Sequence, residues 1–348
     1  MPQQKQQKIQ DFLQDLGIQI SKDIVGSGAD QVLCFCPSCI KEKLYINQKG
    51  LWDCKSCGKA GNKPQLIHIV AEEANKVLRG NVLKELAKDR GIKPQTLVKW
   101  GIGYLPQTDF YTLPFRGDKK DSCSLLQLYR PGGKVRGISG SSVALAHSPD
   151  TGSEESSEEI WLVEGLWDGM ALSECVTEPI RVTPGAGILP KAFHNEFSDK
   201  KVIIPFDNDD AGKKGVIKAE RTLTGIAKEV FFVEWKEGTR KGYDLRDLYI
   251  DCQKDGNIVE TYLRNNLLKI KDGIIGGVTE EKEQGEKLPR EEIVATYRKW
   301  LRIPSTEVLD ILFGAVYANL IGLDSLWLFL VAPPGGAKTE LLMNLHGS

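Results

Sequence analysis

The chain has 348 residues, a hydrophobic content of 41% and a formal net charge of −1. The apolar content suffices for several domains, and the balanced charge means that any contact with nucleic acid has to come from local basic patches. The N-terminus lacks the apolar core of a signal peptide, and the apolar run LWLFLVA is too short to span a bilayer. We therefore expect a cytoplasmic protein that makes no membrane contact.

The first segment predicts a helix followed by a metal-binding module. The helix is predicted within residues 1–30 and ends at Gly17. Its apolar face is formed around Ile9, Phe12, Leu13 and Leu16. Two CxxC pairs then flank a stretch, KEKLYINQKGLWD, whose alternation indicates a β-hairpin. Two such pairs supply four thiolates for tetrahedral Zn²⁺. The predicted ligands are Cys36, Cys39, Cys54 and Cys57.

Alternatives exist for this cysteine-rich module. A redox dithiol normally needs only one CxxC beside a βαβ pattern, so structural zinc is the preferred interpretation. Cys34 competes with Cys36 as a ligand but is better interpreted as a buried strand residue. Tyr45 and Trp52, interleaved with lysines, could stack on bases or pack the hairpin, and the sequence does not choose between these. The remaining cysteines are predicted to be small apolar core residues, namely Cys123, Cys175 and Cys252.

Residues 71–147 predict a separate α+β region. The segment NVLKELAKDRG predicts a helix that Gly91 ends, and the segments TLPFRG and SLLQLYR predict strands. The acidic, serine-rich run SPDTGSEESSEE predicts a solvated loop before the next unit.

Residues 160–250 alternate strand and helix patterns, which predicts a parallel sheet with helices on both faces. Acidic residues follow three of the strands, and ligands of such sheets gather at the carboxyl ends of the strands. Hard carboxylate oxygens there suit Mg²⁺ or Mn²⁺ and metal-assisted phosphoryl transfer. Any single acid is equally compatible with a helix N-cap or a solvated loop. The acids are Glu164 and Asp168 after the first strand, Asp207, Asp209 and Asp210 after another, and Asp244 and Asp247 after a third.

These segments resemble a known family. VEGLWDGMAL, TPGAG and IIPFDNDDAGKKG are similar to the Toprim signature, and the cysteine module resembles the zinc-binding domain of DnaG-type and phage primases. LKELAKDRGIKPQTLVKWGIGYLP resembles the N-terminal subdomain of the primase catalytic core. The resemblance implies that Glu164 is the catalytic carboxylate and that Asp207 and Asp209 are the metal-binding pair of residues. It further implies supporting roles for Asp168 and Asp244, and a basic surface for template and nucleotides formed by Arg130, Lys134 and Arg136.

The tail resembles the entry into the ATPase domain of primase-helicases of phages or mobile elements. Its segment APPGGAKT is similar to a phosphate loop in which Ala332 and Ala337 replace both glycines, while Lys338 and Thr339 remain. The sequence stops nine residues after Thr339. We therefore expect a fragment of a longer primase-helicase, without ATP hydrolysis of its own.

The sequence as a whole predicts a multidomain α/β protein. The expected parts are an N-terminal helix and zinc ribbon at 1–70, a basic α+β subdomain at 71–155, a Toprim parallel-sheet domain at 156–270, a linker at 271–289 and the start of a helicase-like ATPase domain at 290–348. The expected function is that of a DNA primase, which joins nucleoside triphosphates on single-stranded DNA with Mg²⁺ or Mn²⁺, with a helicase in cis or a replicative helicase as partner. The alternatives are a Toprim nuclease and a non-catalytic DNA-binding or helicase-loading module.

Overall fold

The structure, a computed structural model, describes most of the chain in two compact units, residues 1–280 and 281–348. The described residues are 2–24, 31–116, 123–149, 157–185, 189–269, 274–275, 278–279, 290–300 and 305–320. Lys338 and Thr339 of the phosphate-loop segment lie outside them.

The first part of the larger unit is a helix followed by a five-stranded antiparallel sheet. The helix buries the predicted apolar face, and Gly17 after it has a left-handed φ of 66°. The predicted hairpin around the cysteines is confirmed as an antiparallel strand pair, in which Leu44 lies opposite Cys54. The elements are α1 (Pro2–Asp15), β1 (Ile20–Ile24), β2 (Gln31–Phe35), β3 (Glu42–Asn47), β4 (Trp52–Cys54) and β5 (Ala60–Gly61).

Three helices and a four-stranded antiparallel sheet follow. The predicted helix end is confirmed, because Gly91 stands at the C-cap with a φ of 69°. The two predicted strands are also confirmed and pair with each other. The elements are α2 (Lys63–Val77), α3 (Gly80–Arg90), α4 (Pro94–Lys99), β6 (Gly103–Leu105), β7 (Phe110–Arg116), β8 (Cys123–Tyr129) and β9 (Arg136–Gly137).

The four-stranded sheet is buried on both faces. In β8, Leu126 and Leu128 belong to the core that contains α1, α2 and the cysteine module. Leu125 and Tyr129 belong instead to the core of the following parallel sheet. This sheet therefore carries apolar side chains on both faces. One face packs against the cysteine module, and the other packs against the parallel sheet.

The last part of the larger unit is a six-stranded sheet in the order β10-β12-β11-β13-β14-β15. The predicted parallel arrangement is confirmed for the four central strands. The two edge strands, which the sequence pattern does not predict, pair antiparallel. The strands are β10 (Ala146–His147), β11 (Glu159–Glu164), β12 (Ile180–Thr183), β13 (Lys201–Ile204), β14 (Glu229–Val233) and β15 (Leu267–Leu268). The helices are α5 (Leu166–Leu172), a 3-10 helix (Lys191–Phe197), α6 (Asp210–Leu223), α7 (Leu245–Asp251) and α8 (Gly256–Asn265).

Short elements complete the described chain. Within the stretch interpreted as a linker, β16 (Ile274–Ile275) pairs antiparallel with β17 (Val278–Thr279). In the smaller unit, α9 (Arg290–Trp300) and α10 (Glu307–Leu320) share a small apolar core around Val294, Leu309 and Leu312. None of the described helices combines the length and apolarity that a bilayer crossing demands.

The close packing of α5 on β12 gives a test of the fold. A Cβ at Gly169 would lie 2.4 Å from Cγ2 of Val182 and 3.3 Å from the Trp100 ring. Both neighbours are buried, so Gly169→Ala should lower the free energy of unfolding by about 1–3 kcal/mol through overpacking. Urea denaturation measures the change. In the matched control Gly137→Ala, the new Cβ meets nothing closer than 3.4 Å. An equal loss in both variants would contradict this packing.

Candidate active site and metal centre

The acidic residues lie where the order of the parallel strands reverses. The chain leaves β11 through α5 to β12 on one side and then crosses to β13 on the other side of β11. Glu164, half-buried at the end of β11, lies opposite Thr183 of β12, and Asp207 follows β13. Open α/β sheets bind ligands at such a switch point, outside the carboxyl ends of the strands. The topology therefore places Glu164 and Asp207 at the two sides of one crevice.

Hydrogen bonds attach two further acids to the ends of α5 and α7. Asp168 is 9% exposed, and its Oδ1 accepts a hydrogen bond of 2.9 Å from the backbone N–H of Arg246. Asp244 caps α7 by accepting a 2.6 Å hydrogen bond from the N–H of Asp247. These contacts join the segment after β14 to the start of α5.

The loop after β13 is fixed on both sides. Asp209 caps α6, and its Oδ1 accepts a 2.7 Å hydrogen bond from the N–H of Gly212. A Cβ at Gly212 would lie 2.2 Å from the carbonyl oxygen of Asp207, so only glycine fits this close approach. The amide of Asn208 donates to the carbonyls of Thr239 and Arg240. The conformation of the Asp207–Asp209 loop is therefore determined by α6 and by the loop after β14.

Burial and mutual repulsion raise the pKa values of three acids in this cluster. For Asp207 the pKa rises to about 7, mainly through burial and then through the charges of Glu164, Asp244 and Asp209. Burial raises the pKa of Asp168 well above its ordinary value, and the charges of Asp244 and Asp207 add to this. The pKa of Asp244 is also raised by burial, against the opposing effect of the Asp247 N–H. The cluster therefore concentrates negative charge that a bound cation would stabilise.

Two of the acids in these segments are neutralised by surface partners. Lys241 pairs with Asp210 at 2.8 Å, and Arg240 pairs with Asp247 at 2.6 Å. The side chain of Asp210 is largely exposed, so its environment differs from that of the buried acids.

The spacing of the carboxylates limits the kind of metal site that they could form. Among the described residues, only the four cysteines bring three or more potential ligand atoms within 4.8 Å of one another. The acids are more widely spaced. Mg²⁺ typically takes one or two protein carboxylates and completes its octahedron with waters and substrate phosphates. A spaced set of acids is compatible with that coordination.

Two arginines beside the acids were not assigned by the sequence analysis. The Arg90 guanidinium lies 4.7 Å from the ring centroid of Trp167 and 5.2 Å from that of Tyr129. Its charge and that of Arg246 both oppose the rise in the pKa of Asp244. The Nε atoms of both arginines are buried and have no hydrogen-bond partner within the described chain. The only sequence signal for Arg90 was its place in the RGI segment, which ends α3.

The predicted basic surface has a different environment. Arg130 donates a 2.9 Å hydrogen bond to the carbonyl of Asp109, and its guanidinium lies 3.9 Å from the centroid of the Phe110 ring. Arg136 pairs with Asp15 of α1 at 2.9 Å and lies 5.2 Å from the same ring. Lys134 is exposed in the turn before β9. Both arginines thus make contacts within the protein that a nucleic acid would have to share or replace.

The four predicted cysteine ligands converge. Their sulfur atoms lie within 4.8 Å of one another, with Sγ–Sγ distances of 3.8 Å for Cys36–Cys57 and 3.7 Å for Cys39–Cys54. A zinc tetrahedron with Zn–S bonds of about 2.3 Å has edges of about 3.8 Å, so the geometry fits structural zinc. Burial raises the pKa of Cys36 to about 12, whereas the N–H of Lys41 lowers that of Cys39 to about 7. The Cys36 thiol therefore needs a nearby cation to ionise near neutral pH.

The structure also decides the alternatives around the cysteines. Cys34 is fully buried in β2 and does not belong to the metal-binding group, which agrees with its interpretation as a core residue. Trp52 is 4% exposed, and its Nε1 donates a 2.7 Å hydrogen bond to the carbonyl of Asn62. Trp52 therefore packs the hairpin, while Tyr45 remains half-buried.

No protein-family model matches the sequence, and no curated protein matches it. Solved structures similar to this chain include the zinc-binding and RNA polymerase domains of the Aquifex aeolicus primase, with 18% identity, coverage of 76% of this chain and 86% of that chain, and a TM-score of 0.43. Another is the RNA polymerase domain of Mycobacterium tuberculosis primase DnaG, in complex with a double-stranded DNA oligomer with an overhang. It is 14% identical, the match covers 75% of this chain and 98% of that chain, and the TM-score is 0.46. The Escherichia coli primase catalytic core is 14% identical, the match covers 56% of this chain and 77% of that chain, and the TM-score is 0.44.

The cysteine geometry predicts the metal content. The purified protein should contain about one equivalent of zinc by elemental analysis, and Cys54→Ser should lose it because three thiolates hold the ion poorly. In the control, Cys34→Ala removes a buried thiol outside the group and should keep the zinc. Full zinc in Cys54→Ser would show that the ligands are assigned wrongly.

The raised pKa of Asp207 predicts how stability depends on pH without metal. Asp207 ionises near pH 3.8 when unfolded and near pH 7 when folded, so the folded state binds the extra proton between these values. Without added Mg²⁺, the stability of the wild type relative to Asp207→Asn should therefore fall as the pH rises from about 4 to about 7. Asp207→Asn removes this loss and should be more stable than the wild type at pH 8, by roughly 1–3 kcal/mol in urea denaturation.

A control within the same loop isolates the effect of the cluster. Lys241 lowers the pKa of Asp210, so Asp210→Asn should give no gain in stability at pH 8. Magnesium should stabilise the wild type more than Asp207→Asn, since binding to the folded state adds stability. A less stable Asp207→Asn at pH 8 without added Mg²⁺ would argue against a charge-repelled cluster.

Proposed function

We propose that this protein is a DNA primase of the Toprim type, which joins nucleotides on a single-stranded template. The observation that supports this best is the buried carboxylate cluster at the switch point of the parallel sheet, with two arginines beside it. Acids alone would serve many metal-dependent reactions. The adjacent guanidinium groups suit a polyphosphate substrate, because their planar donors match phosphate oxygens.

In this proposal Asp207 and Asp209 hold catalytic Mg²⁺ or Mn²⁺, and Glu164 lies at the reacting end of the site. The ion, when bound, would polarise the triphosphate and offset the charge that develops on the leaving pyrophosphate. Asp168 and Asp244 support the cluster by fixing α5 and α7. Arg90 and Arg246 bind phosphate oxygens.

The reaction is a nucleotidyl transfer. The 3′-hydroxyl oxygen of one nucleotide forms a bond to the α-phosphorus of the next. The bond from this phosphorus to the bridging oxygen breaks, and pyrophosphate leaves with the electron pair. Glu164 accepts the hydroxyl proton, a role that suits a half-buried carboxylate at the strand end.

The remaining parts of the chain provide template contacts in this proposal. Residues 1–70 form a zinc ribbon, 71–155 a basic subdomain and 156–270 the Toprim domain, whose sheet also includes β10 (Ala146–His147) from the preceding range. The ribbon shares its apolar core with β8, so it is fixed on the sheet that also packs against the catalytic part. Arg130, Lys134 and Arg136 lie on this sheet or next to it and would meet template phosphates. A helicase-like segment follows the linker and would connect priming to unwinding.

Primer synthesis tests the proposal. The wild type should join labelled nucleoside triphosphates into primers on single-stranded DNA with Mg²⁺. Asp207→Asn and Asp209→Asn should reduce the yield at saturating template by about 100-fold or more, because each removes a charge that the metal requires. Asparagine also caps helices well, so Asp209→Asn should keep α6 intact.

The controls separate catalysis from binding. Asp210→Asn, in the same loop but paired with Lys241 at the surface, should retain the wild-type yield. Template affinity should be unchanged in all three variants. Wild-type yield from both Asp207→Asn and Asp209→Asn would leave a binding module, and metal-dependent DNA cleavage without synthesis would indicate a nuclease.

A further inference from the structure

A second concave site adjoins the carboxylate cluster. It is a cavity of about 650 Å³ between the carboxyl ends of β13 and β14. Asp207 and Asn208 form one wall, and the loop after β14, from Glu234 to Thr239, forms another. Ligand sites for small molecules have volumes of about 300–1,000 Å³. Asp207 thus belongs both to the acidic cluster and to a cavity with room for a nucleoside.

The lining of this cavity carries charges of both signs. Lys213, from the first turns of α6, lines it and makes no salt bridge within the described residues. Glu234, Lys236 and Glu237 line it from the loop after β14 and are exposed. The two carboxylates repel phosphate and accept hydrogen bonds from hydroxyl or amine groups. Lys213 lies on the helix that follows Asp207, whereas Lys236 lies between the two glutamates. A triphosphate that reaches Asp207 would therefore pass Lys213, with its nucleoside toward the loop after β14.

An aromatic ring in a fixed position completes the cavity. Trp235 lines it and is half-buried, and its Nε1 donates a 2.8 Å hydrogen bond to the carbonyl of Phe206. The ring also contacts Tyr243 and Tyr262, with centroid distances of 5.3 and 6.2 Å. A tryptophan that is held in place on several sides provides a surface on which a base can stack without a large loss of side-chain entropy.

We propose that this cavity binds the incoming nucleoside triphosphate, with the base against Trp235 and the phosphates passing Lys213 toward Asp207. The inference rests on the nucleotidyl transfer proposed above and adds the position of the substrate. Lys213 is then a positioning residue for the triphosphate. Trp235 is a base-binding residue that tolerates any of the four bases, because each has a π face.

Photolabelling with 8-azidoadenosine triphosphate tests the position directly. After irradiation with Mg²⁺, the label should be found by mass spectrometry in the peptide that contains residues 232–239, and excess ATP should abolish it. Lys213→Ala should reduce labelling and raise the apparent KM for ATP in primer synthesis about tenfold, as expected for one charged hydrogen bond.

The neighbouring lysine supplies a matched control. Lys213 and Lys214 both lower the pKa of Asp210, but Lys214 is exposed and does not line the cavity. Lys214→Ala should therefore leave labelling and KM unchanged. ATP-protected label outside residues 232–239, or equal effects of the two substitutions, would overturn the inference. Failure of the wild type to make primers would count against the proposed function alone, since photolabelling does not require synthesis.

Discussion

Desolvated negative charge at one edge of the parallel sheet is the constraint on which the larger unit depends. Burial raises the pKa values of Asp168, Asp207 and Asp244, and each charge raises the cost of the others. The fold compensates with few groups: the backbone N–H of Arg246 and the guanidinium groups of Arg246 and Arg90. Such a cluster lowers the stability of the folded protein. Destabilising groups of this kind are typical of functional sites, and this one suits a cation and a polyphosphate.

The region around α3 and α4 is fixed to the end of α5. Lys93 pairs at 2.7 Å with Glu174, whose side chain is almost fully buried, and Trp100 donates a 3.0 Å hydrogen bond to Ser173. Both contacts join the α3–α4 region to the end of α5. They fix the segment that carries Arg90 against the helix that carries Asp168. The arginine and the acids thus belong to one rigid arrangement, although they come from distant parts of the chain.

The loop after β13 connects the two proposed sites. Gly212 allows α6 to approach the Asp207 carbonyl, and Asn208 binds the loop that follows β14. A shift of either neighbour would move Asp207 relative to both the acidic cluster and the cavity beside Trp235. Metal binding and nucleotide positioning are therefore expected to respond together to changes in this loop.

The sequence by itself determined the local elements and the chemistry of the ligands. Apolar periodicity and Gly17 defined α1, the CxxC spacing identified the four thiols, and the βα alternation placed acids at strand ends. Only the tertiary structure brought Arg90 beside Asp244, buried Trp52 and tied Arg136 to Asp15. The physical reason is that periodicity and spacing act over a few residues, whereas burial, pKa values and ion pairs depend on which distant segments share a core. The strand order, which creates both the switch point and the adjoining cavity, likewise arises from packing that no local pattern encodes.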